Sequence, residues 1–151
     1  MIGMARLDYP CDESTSARMR RVQRLDTGPE LAVRAAAWAL GLRYRVRNSD
    51  LPGSPDLANR KRKWVVFVHG CFWHRHPGCK RASLPKRNRH AWQMKFARNV
   101  ERDRACESAL AARGFSILII WECTTRDLDI LTRQLRSVLK PSVSRSCSVP
   151  P

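Results

Sequence analysis

The hydrophobic and polar positions of the chain first predict a helix that begins near residue 27. "TGPE" has the features of a helix start, with Thr27 as N-cap, Pro29 in the first turn and Glu30 completing a capping box. Apolar residues then recur at helical spacing until Gly41, a residue typical of helix ends. A short basic helix is also expected over residues 14–24.

Four later stretches have the pattern of β-strands. Residues 42–46, "LRYRV", alternate apolar and basic side chains, as a half-buried strand does. Residues 57–58 predict a short strand, joined through the turn "NRKR" to "WVVFVH", a β-branched strand buried on both faces. "FSILIIW", residues 115–121, predicts a second buried strand.

Two further helices complete the pattern. Residues 89–113 have helical periodicity that Gly114 ends, and a last amphipathic helix ends at Pro141. Its apolar positions are Leu128, Leu131, Leu135, Val138 and Leu139. The order predicts an α/β domain over residues 14–140, with a central mixed sheet flanked by helices. Residues 1–13 are expected to form a flexible leader and residues 141–151 a disordered tail.

The net charge of the chain and its distribution indicate which class of partner the protein binds. The 151 residues include 29 Lys and Arg against 13 Asp and Glu, a net charge of +16. No acidic residue occurs between Asp56 and Glu101, a span with twelve Lys and Arg. A surface without acids suits the phosphates of nucleic acid, with an anionic membrane as the second candidate. The sequence has no apolar run of membrane-spanning length and no signal-peptide stretch, so a cytosolic protein is expected.

The stretch "HGCFWHRHPGC" predicts a metal site. Cys71, His76 and Cys79 offer thiolate and imidazole ligands, which suit a structural Zn²⁺ with four such ligands. Cys123 is the best fourth candidate because it directly follows a predicted strand. Cys106, inside a helix, and Cys147, in the tail, are poorer candidates.

A second group of residues suggests catalysis. Asp56 precedes the strand hairpin and can hold Mg²⁺ against a phosphate, and Glu30 can hold a metal-bound water. His69 and His74 lie near the end of the second strand, and a neutral imidazole can take a proton from water. Together these residues fit Mg²⁺-assisted hydrolysis of a phosphodiester.

Aromatic side chains lie amid the densest positive charge. Phe72 and Trp73 stand in a polar loop, and Trp92 is on a helix where core packing is an equal alternative. Such rings can stack on bases or wedge between them. The basic residues expected to contact DNA are Lys80, Arg81, Lys86, Arg87 and Arg89.

Four motifs give the chain a family resemblance. "LPGSPD", "VFVHGCFWHRHPGC", "NVERDR" and "WEC" resemble the very-short-patch repair endonucleases, the Vsr type, over about residues 14–126. The resemblance implies a restriction-endonuclease-like fold and a nick on the 5′ side of the T in a T:G mismatch. Such mismatches arise when 5-methylcytosine deaminates.

The resemblance also implies roles for individual residues. Asp56 matches the Mg²⁺-binding aspartate, His74 the histidine that activates water, His69 a second catalytic histidine, and Glu30 a glutamate near the metal waters. The implied zinc ligands are Cys71, His76, Cys79 and Cys123. The implied intercalating aromatics are Phe72, Trp73 and Trp92.

One departure concerns the second metal contact. The wider nuclease superfamily has an acid-x-Lys pair on the strand after its "PD", whereas that strand here is "WVVFVH". A second Mg²⁺ contact is therefore expected from a backbone carbonyl, that of Val68. The Vsr type shares this loss.

Two alternatives stay open at this point. A zinc-stapled DNA-binding module without catalysis fits the charge and the cysteines but has no need of Asp56, His69 and His74. A ββα-metal nuclease would use the two histidines as a metal site together with Asn99. Partners that the resemblance implies are T:G-mismatched double-stranded DNA, a mismatch-repair matchmaker protein and a cognate cytosine methyltransferase. A monomer is expected.

Overall fold

The computed structural model describes residues 25–139, which contain helices on both faces of a small sheet. The helices are α1 (Gly28–Ala39), α2 (Arg89–Ala112) and α3 (Leu128–Arg136), and the strands are β1 (Leu57–Asn59), β2 (Trp64–His69) and β3 (Ser116–Trp121). Short 3-10 turns span Glu122–Arg126 and Ser137–Leu139. The expected leader, the helix over residues 14–24 and the tail lie outside the described residues.

The sheet is mixed, with strand order β1-β2-β3. β1 and β2 form an antiparallel hairpin in which Leu57 lies opposite Val66. β2 and β3 are parallel, in a register that runs from Trp64↔Ser116 to His69↔Trp121. Because both parallel strands end at the same edge, the residues that follow them are brought together there.

The alternating side chains of β2 divide the core into two layers. Trp64 and Val66 pack on one face with α1 and α3, while Val65 and Phe67 pack on the other with Leu110 of α2. Burial of nearly every residue of β2 confirms the prediction of a strand covered on both faces. The predicted α/β domain with a mixed sheet flanked by helices is therefore confirmed.

Side-chain caps fix the N-terminal ends of α1 and α3. Thr27 caps α1 as predicted, and the Glu30 carboxylate accepts hydrogen bonds from the Thr27 hydroxyl and the Asp26 N–H, both at 3.0 Å. Asp127 caps α3 by accepting from the N–H groups of Asp129 and Ile130. These caps satisfy N–H groups that a helix start otherwise leaves unpaired.

Two strand predictions need correction. Residues 42–46 form one isolated bridge, Arg45 to Ala58, instead of a strand, because Arg47 has a left-handed φ of 57° that breaks the ladder. Strand β3 is mostly half-buried, with only Ile120 fully buried, because it pairs on one side only within the described sheet. A run of apolar residues occurs in edge strands and in central strands, so the sequence alone did not show which position β3 takes.

Candidate active site and metal site

Asp56 lies where the hairpin begins, facing the end of β2. Its Oδ2 accepts a hydrogen bond of 2.6 Å from the backbone N–H of Val68. This bond fixes the carboxylate beside the last residues of β2, two of which, Val68 and His69, were predicted to belong to the same site. The structure therefore brings the predicted aspartate and the strand end together.

His69 and His74 stack against each other at this edge. Their ring centroids are 3.9 Å apart and the rings are nearly parallel, at 9°. Trp121, opposite His69 in β3, makes a T-shaped contact with the His69 ring, with the ring centroids 5.5 Å apart. His69 is buried, with 7% of its surface exposed, whereas the side chain of His74 remains 22% exposed.

Asp103 of α2 completes this group and was not predicted. Its Oδ2 lies 2.6 Å from Nδ1 of His74. The sequence did carry a signal, because Asp103 stands seven residues after Phe96 and seven before Leu110, the two buried positions of α2. An acidic residue at such a position needs a polar partner inside the protein.

These side chains line one cavity of about 250 Å³. The walls come from α1, the loop before β1, the end of β2 and the middle of α2. The lining residues include Glu30, Asp56, Val68, His69, His74, Arg102, Asp103, Cys106 and Glu107. Every residue predicted to take part in catalysis is thus in contact with this cavity.

Burial and neighbouring charges shift two groups in opposite directions. Burial, assisted by the negative charge of Glu30, raises the pKa of Asp56 to about 6, against the Val68 hydrogen bond that lowers it. Burial and the adjacent His74 lower the pKa of His69 to about 4, so its ring is neutral at pH 7. Asp56 is a buried carboxylate next to a second carboxylate, and a bound cation would stabilise its ionised form. These residues are therefore suited to binding a divalent metal ion.

Glu30 has two structural roles in this region. It caps α1, and its Oε2 also forms an ion pair with Nη2 of Arg34 at 3.4 Å. Only 7% of the surface of Glu30 is exposed. Both interpretations made from the sequence, a helix cap and an acid near the site, agree with its position. The cap positions the carboxylate at the cavity wall.

A separate group of metal-type ligands lies beyond the two parallel strands. Cys71 follows His69 by two residues and Cys123 follows Trp121 by two, so the parallel register brings both thiols together. His76 and Cys79 join them from the loop, and the four ligand atoms all lie within 4.8 Å of one another. The four residues predicted as ligands thus form one group that could hold a metal ion.

The distances within this group fit tetrahedral coordination. Nδ1 of His76 lies 3.6 Å from Sγ of Cys71 and 3.4 Å from Sγ of Cys123. Tetrahedral zinc, with Zn–S near 2.3 Å and Zn–N near 2.0 Å, requires an S to N separation of about 3.5 Å. The backbone N–H of Arg81 lowers the pKa of Cys79, which favours the thiolate that binds metal.

Four aromatic rings form a cluster on the surface next to the cavity. Phe72 is at its centre, with ring centroids 5.1 Å from Trp73, 5.5 Å from Trp92 and 5.1 Å from Phe96. Phe96 is buried and the other three are partly exposed. Nζ of Lys95 lies over both tryptophans, at 5.0 and 5.2 Å from their centroids. The three rings predicted to contact DNA therefore share one positively charged surface.

The basic residues predicted to contact DNA differ in exposure and in whether they already form an ion pair. Lys80, Lys86 and Arg89 are exposed, whereas Arg81 donates to Oε1 of Glu122 at 3.1 Å. That ion pair joins the Cys/His loop to the residue before Cys123. Arg81 thus has a structural contact besides any contact with DNA.

Asn99 does not act as a partner of the two histidines. Its Nδ2 donates to the backbone oxygen of Trp73 at 3.4 Å, and this hydrogen bond holds the loop that contains Phe72 and Trp73 against α2. The ββα-metal alternative required this residue as a ligand. Because Asn99 contacts Trp73 instead of the histidines, the structure gives no support to the ββα-metal alternative.

An acidic cavity with paired imidazoles, set beside a basic aromatic surface, is typical of hydrolases that act on nucleic acid. Comparisons with known proteins agree. The family model "DNA mismatch endonuclease Vsr" matches residues 8–81. The chain is similar to the Type II nicking enzyme V.XorIIP of Xanthomonas oryzae pv. oryzae, 44% identical over 82% of this chain and 90% of that protein.

A second relative is the DNA mismatch endonuclease Vsr of Escherichia coli (strain K12), 38% identical over 80% of this chain and 78% of that protein. The Type II nicking enzyme V.NmeAIP of Neisseria meningitidis is 35% identical over 81% and 86%. The chain belongs to the Vsr family of DNA mismatch endonucleases. It is therefore an endonuclease that acts on DNA, and the family resemblance drawn from its motifs is confirmed.

Membership of an endonuclease family also argues against a non-catalytic binding module. Such a family implies a divalent metal, and the Cys/His group could hold another metal ion. Across residues 25–139, none of the helices combines the length and apolar content needed to cross a membrane.

Proposed function

We propose that this protein is a Mg²⁺-dependent endonuclease that nicks one DNA strand on the 5′ side of the mispaired T in a T:G mismatch. The nick would begin very-short-patch repair of deaminated 5-methylcytosine. The observation that carries the proposal is the convergence of Asp56, His69 and the His74–Asp103 pair on one cavity beside the aromatic cluster.

The paired side chains suit proton transfer from water. Asp103 accepts the Nδ1–H of His74, which leaves Nε2 of the same ring free to take a proton from the attacking water. The carboxylate then stabilises the imidazolium that forms. His69, buried and stacked on His74, keeps that ring in place and is a second catalytic histidine.

Asp56 and the backbone carbonyl of Val68 would hold Mg²⁺, with Glu30 holding its waters from the opposite wall. Bound there, Mg²⁺ supplies charge that polarises the phosphate and neutralises charge in the transition state. The hydrogen bond from the Val68 N–H orients the Asp56 carboxylate for this role. The other protein groups bind and orient DNA and move protons.

The second metal is a structural Zn²⁺ bound by Cys71, His76, Cys79 and Cys123. Support comes from the S to N separations, which match tetrahedral zinc, and from ligands of the type zinc prefers. The surrounding loop has little apolar content, so a metal is needed to keep it folded.

DNA would contact the aromatic cluster and the basic loop. Phe72, Trp73 and Trp92 intercalate beside the mismatch in this proposal, because their partly exposed rings can stack on bases that a weak pair releases. Phosphates would be bound by the basic side chains Lys80, Arg81, Lys86, Arg87 and Arg89.

The remaining expectations belong to the same proposal. The domain is monomeric and restriction-endonuclease-like. The protein acts in the bacterial cytoplasm, with a matchmaker protein of mismatch repair and a cognate cytosine methyltransferase as partners. Relatives from bacteria support the cellular setting.

The test is a nicking assay on labelled duplexes with one T:G mismatch or a matched T:A pair, with and without Mg²⁺. Several flanking sequences, including methylation sites, should be used. A single nick beside the T, only in the mismatch and only with Mg²⁺, supports the proposal. Asp56→Ala should abolish nicking while leaving mismatch binding largely intact, and equal loss of both would assign Asp56 a structural role instead.

A further inference from the structure

Arg102 is a residue of the cavity to which no role has yet been assigned. It lies on α2 directly before Asp103, and both residues line the cavity that contains Asp56 and His74. Arg102 is exposed overall, so its side chain stands at the mouth of the cavity instead of in the core. Adjacent residues of one helix thus face the same space with opposite charges.

The charges around the cavity make this arginine unusual. Carboxylates dominate the lining, which includes Glu30, Asp56, Asp103 and Glu107. Among the described residues that line it, Arg102 is the only side chain with a permanent positive charge. A phosphodiester that enters carries a negative charge, and four carboxylates repel it at short range. A fixed cation is needed beside the metal if the phosphate is to stay there.

The guanidinium of Arg102 is also available for a ligand. Other arginines near the site are engaged, as Arg34 is with Glu30 and Arg81 with Glu122. The side chain of Arg102 has no hydrogen bond or ion pair within residues 25–139. It lines the same cavity as His69 and His74, and its charge contributes to lowering the pKa of the buried His69 ring.

We propose that Arg102 is a catalytic residue that donates hydrogen bonds to a non-bridging oxygen of the scissile phosphate. Its planar fork matches phosphate geometry, and its charge stabilises the additional negative charge that develops as water attacks the phosphorus. This inference rests on the proposed function of the same cavity. It explains how a site rich in carboxylates accepts an anionic substrate.

The test compares Arg102→Gln and Arg102→Lys with the control Arg104→Gln. Arg104 is exposed on the same helix but lines a different cavity with Arg75 and Phe96. Single-turnover nicking should be measured with protein saturating the T:G duplex, so that binding does not limit the rate. Arg102→Gln should lower the rate on the order of 10²-fold, as loss of one transition-state donor does. Arg102→Lys should be intermediate, and Arg104→Gln should stay near the wild-type rate.

A phosphorothioate at the scissile position supplies a second readout. Sulfur accepts hydrogen bonds poorly, so wild-type protein should cut one diastereomer slowly in a way that Mn²⁺ does not restore. That thio effect should disappear in Arg102→Gln and persist in Arg104→Gln. A merely structural role for Arg102 would lower the rate and leave the thio effect unchanged.

Besides an unchanged thio effect in Arg102→Gln, two results of the rate measurement would overturn the inference. One is an Arg102→Gln rate within about threefold of the Arg104→Gln rate, and the other is weaker binding with an unchanged rate at saturation. Failure of the proposed function looks different, because the wild-type protein would then make no Mg²⁺-dependent nick specific to the T:G duplex, whereas failure of this inference leaves that nick intact in both the wild type and Arg102→Gln.

Discussion

Nδ1 of His74 lies 2.6 Å from Oδ2 of Asp103, a contact between the Cys/His loop and the middle of α2. In the proposed mechanism the carboxylate accepts a hydrogen bond from the Nδ1–H group, which sets the tautomer of the ring and leaves Nε2 as the base. Asp103→Asn is expected to lower the nicking rate by roughly 10²- to 10⁴-fold, because an amide can favour the opposite tautomer. Single-turnover kinetics with a T:G duplex would measure this.

The control for Asp103→Asn is Glu101→Gln, an exposed acid on the same helix. It should retain nearly full activity, and both variants should bind the duplex as the wild type does. Adding Asp103→Asn to His74→Ala should cause little further loss, because the two residues act as one unit. Additive losses in the double variant would show that Asp103 acts independently of His74.

Asp56→Asn should stabilise the fold while it removes activity. The folded-state pKa of Asp56, about 6, lies above the ordinary value of 3.8, so its ionised form is disfavoured by folding. The cost is absent below pH 3.8, where the carboxyl is neutral in both states, grows as the pH rises from 3.8 to about 6, and is complete above 6. Asparagine has no charge, and its oxygen can still accept from the Val68 N–H.

At pH 8, without added Mg²⁺ and with zinc retained, the variant should be more stable by about 2 to 3 kcal/mol, at about 1.4 kcal/mol for each pKa unit. The gap should be roughly 1 kcal/mol smaller at pH 5. Urea denaturation at the two pH values would measure it. A gap independent of pH would refute burial of a charged carboxylate as its cause.

Cys71→Ser should release the metal from the Cys/His group and destabilise the domain. Loss of a thiolate ligand costs several kcal/mol, and each kcal/mol lowers Tm by about 4 °C in a domain of this size, so Tm should fall by roughly 10 °C or more. Elemental analysis and thermal unfolding would measure both effects. Cys106→Ser is the control, since Cys106 is a free cysteine outside the group. Equal zinc content in both variants would contradict the ligand assignment.

Trp73→Ala should weaken binding to a T:G duplex more than binding to a matched duplex. Stacking of one base on an aromatic ring is worth about 1 to 3 kcal/mol, so mismatch affinity should fall roughly 5- to 150-fold. Fluorescence anisotropy at fixed salt would measure both affinities. Trp38→Ala removes a tryptophan that is 63% exposed on α1, outside the aromatic cluster, and should leave both unchanged. An equal loss for both duplexes would assign Trp73 to general DNA affinity.

Local sequence signals predicted the parts of the fold that local physics controls. The Thr27 cap, the end of β2 at His69 and the long helix α2 follow from capping residues and periodicity. Spacing predicted three members of the Cys/His group, the position of Cys123 after a strand made it the best fourth candidate, and the family resemblance selected it. These features depend on neighbours in sequence, or on strands ending at a shared edge.

The other features of the fold and the site depend on tertiary contacts that the pattern of apolar and polar residues does not encode. Asp103 meets His74 across 29 positions of sequence, and only the packing of α2 on the sheet decides that they touch. Whether β3 is central or at an edge is likewise a tertiary property, and the same apolar run fits both. The "LRYRV" alternation predicted which side chains are buried, but the left-handed Arg47 limited pairing to one bridge.

The position of His74 between Cys71 and His76 has a consequence for the cell. In the proposed mechanism, the base that activates water, His74, stands inside the loop that the Cys/His group closes, and His69 stands two residues before the first thiol of that group. Loss of the metal proposed for the group is expected to disturb the alignment of both histidines at the same time. A molecule without that metal is therefore expected to lose nicking activity altogether, instead of nicking DNA without selectivity.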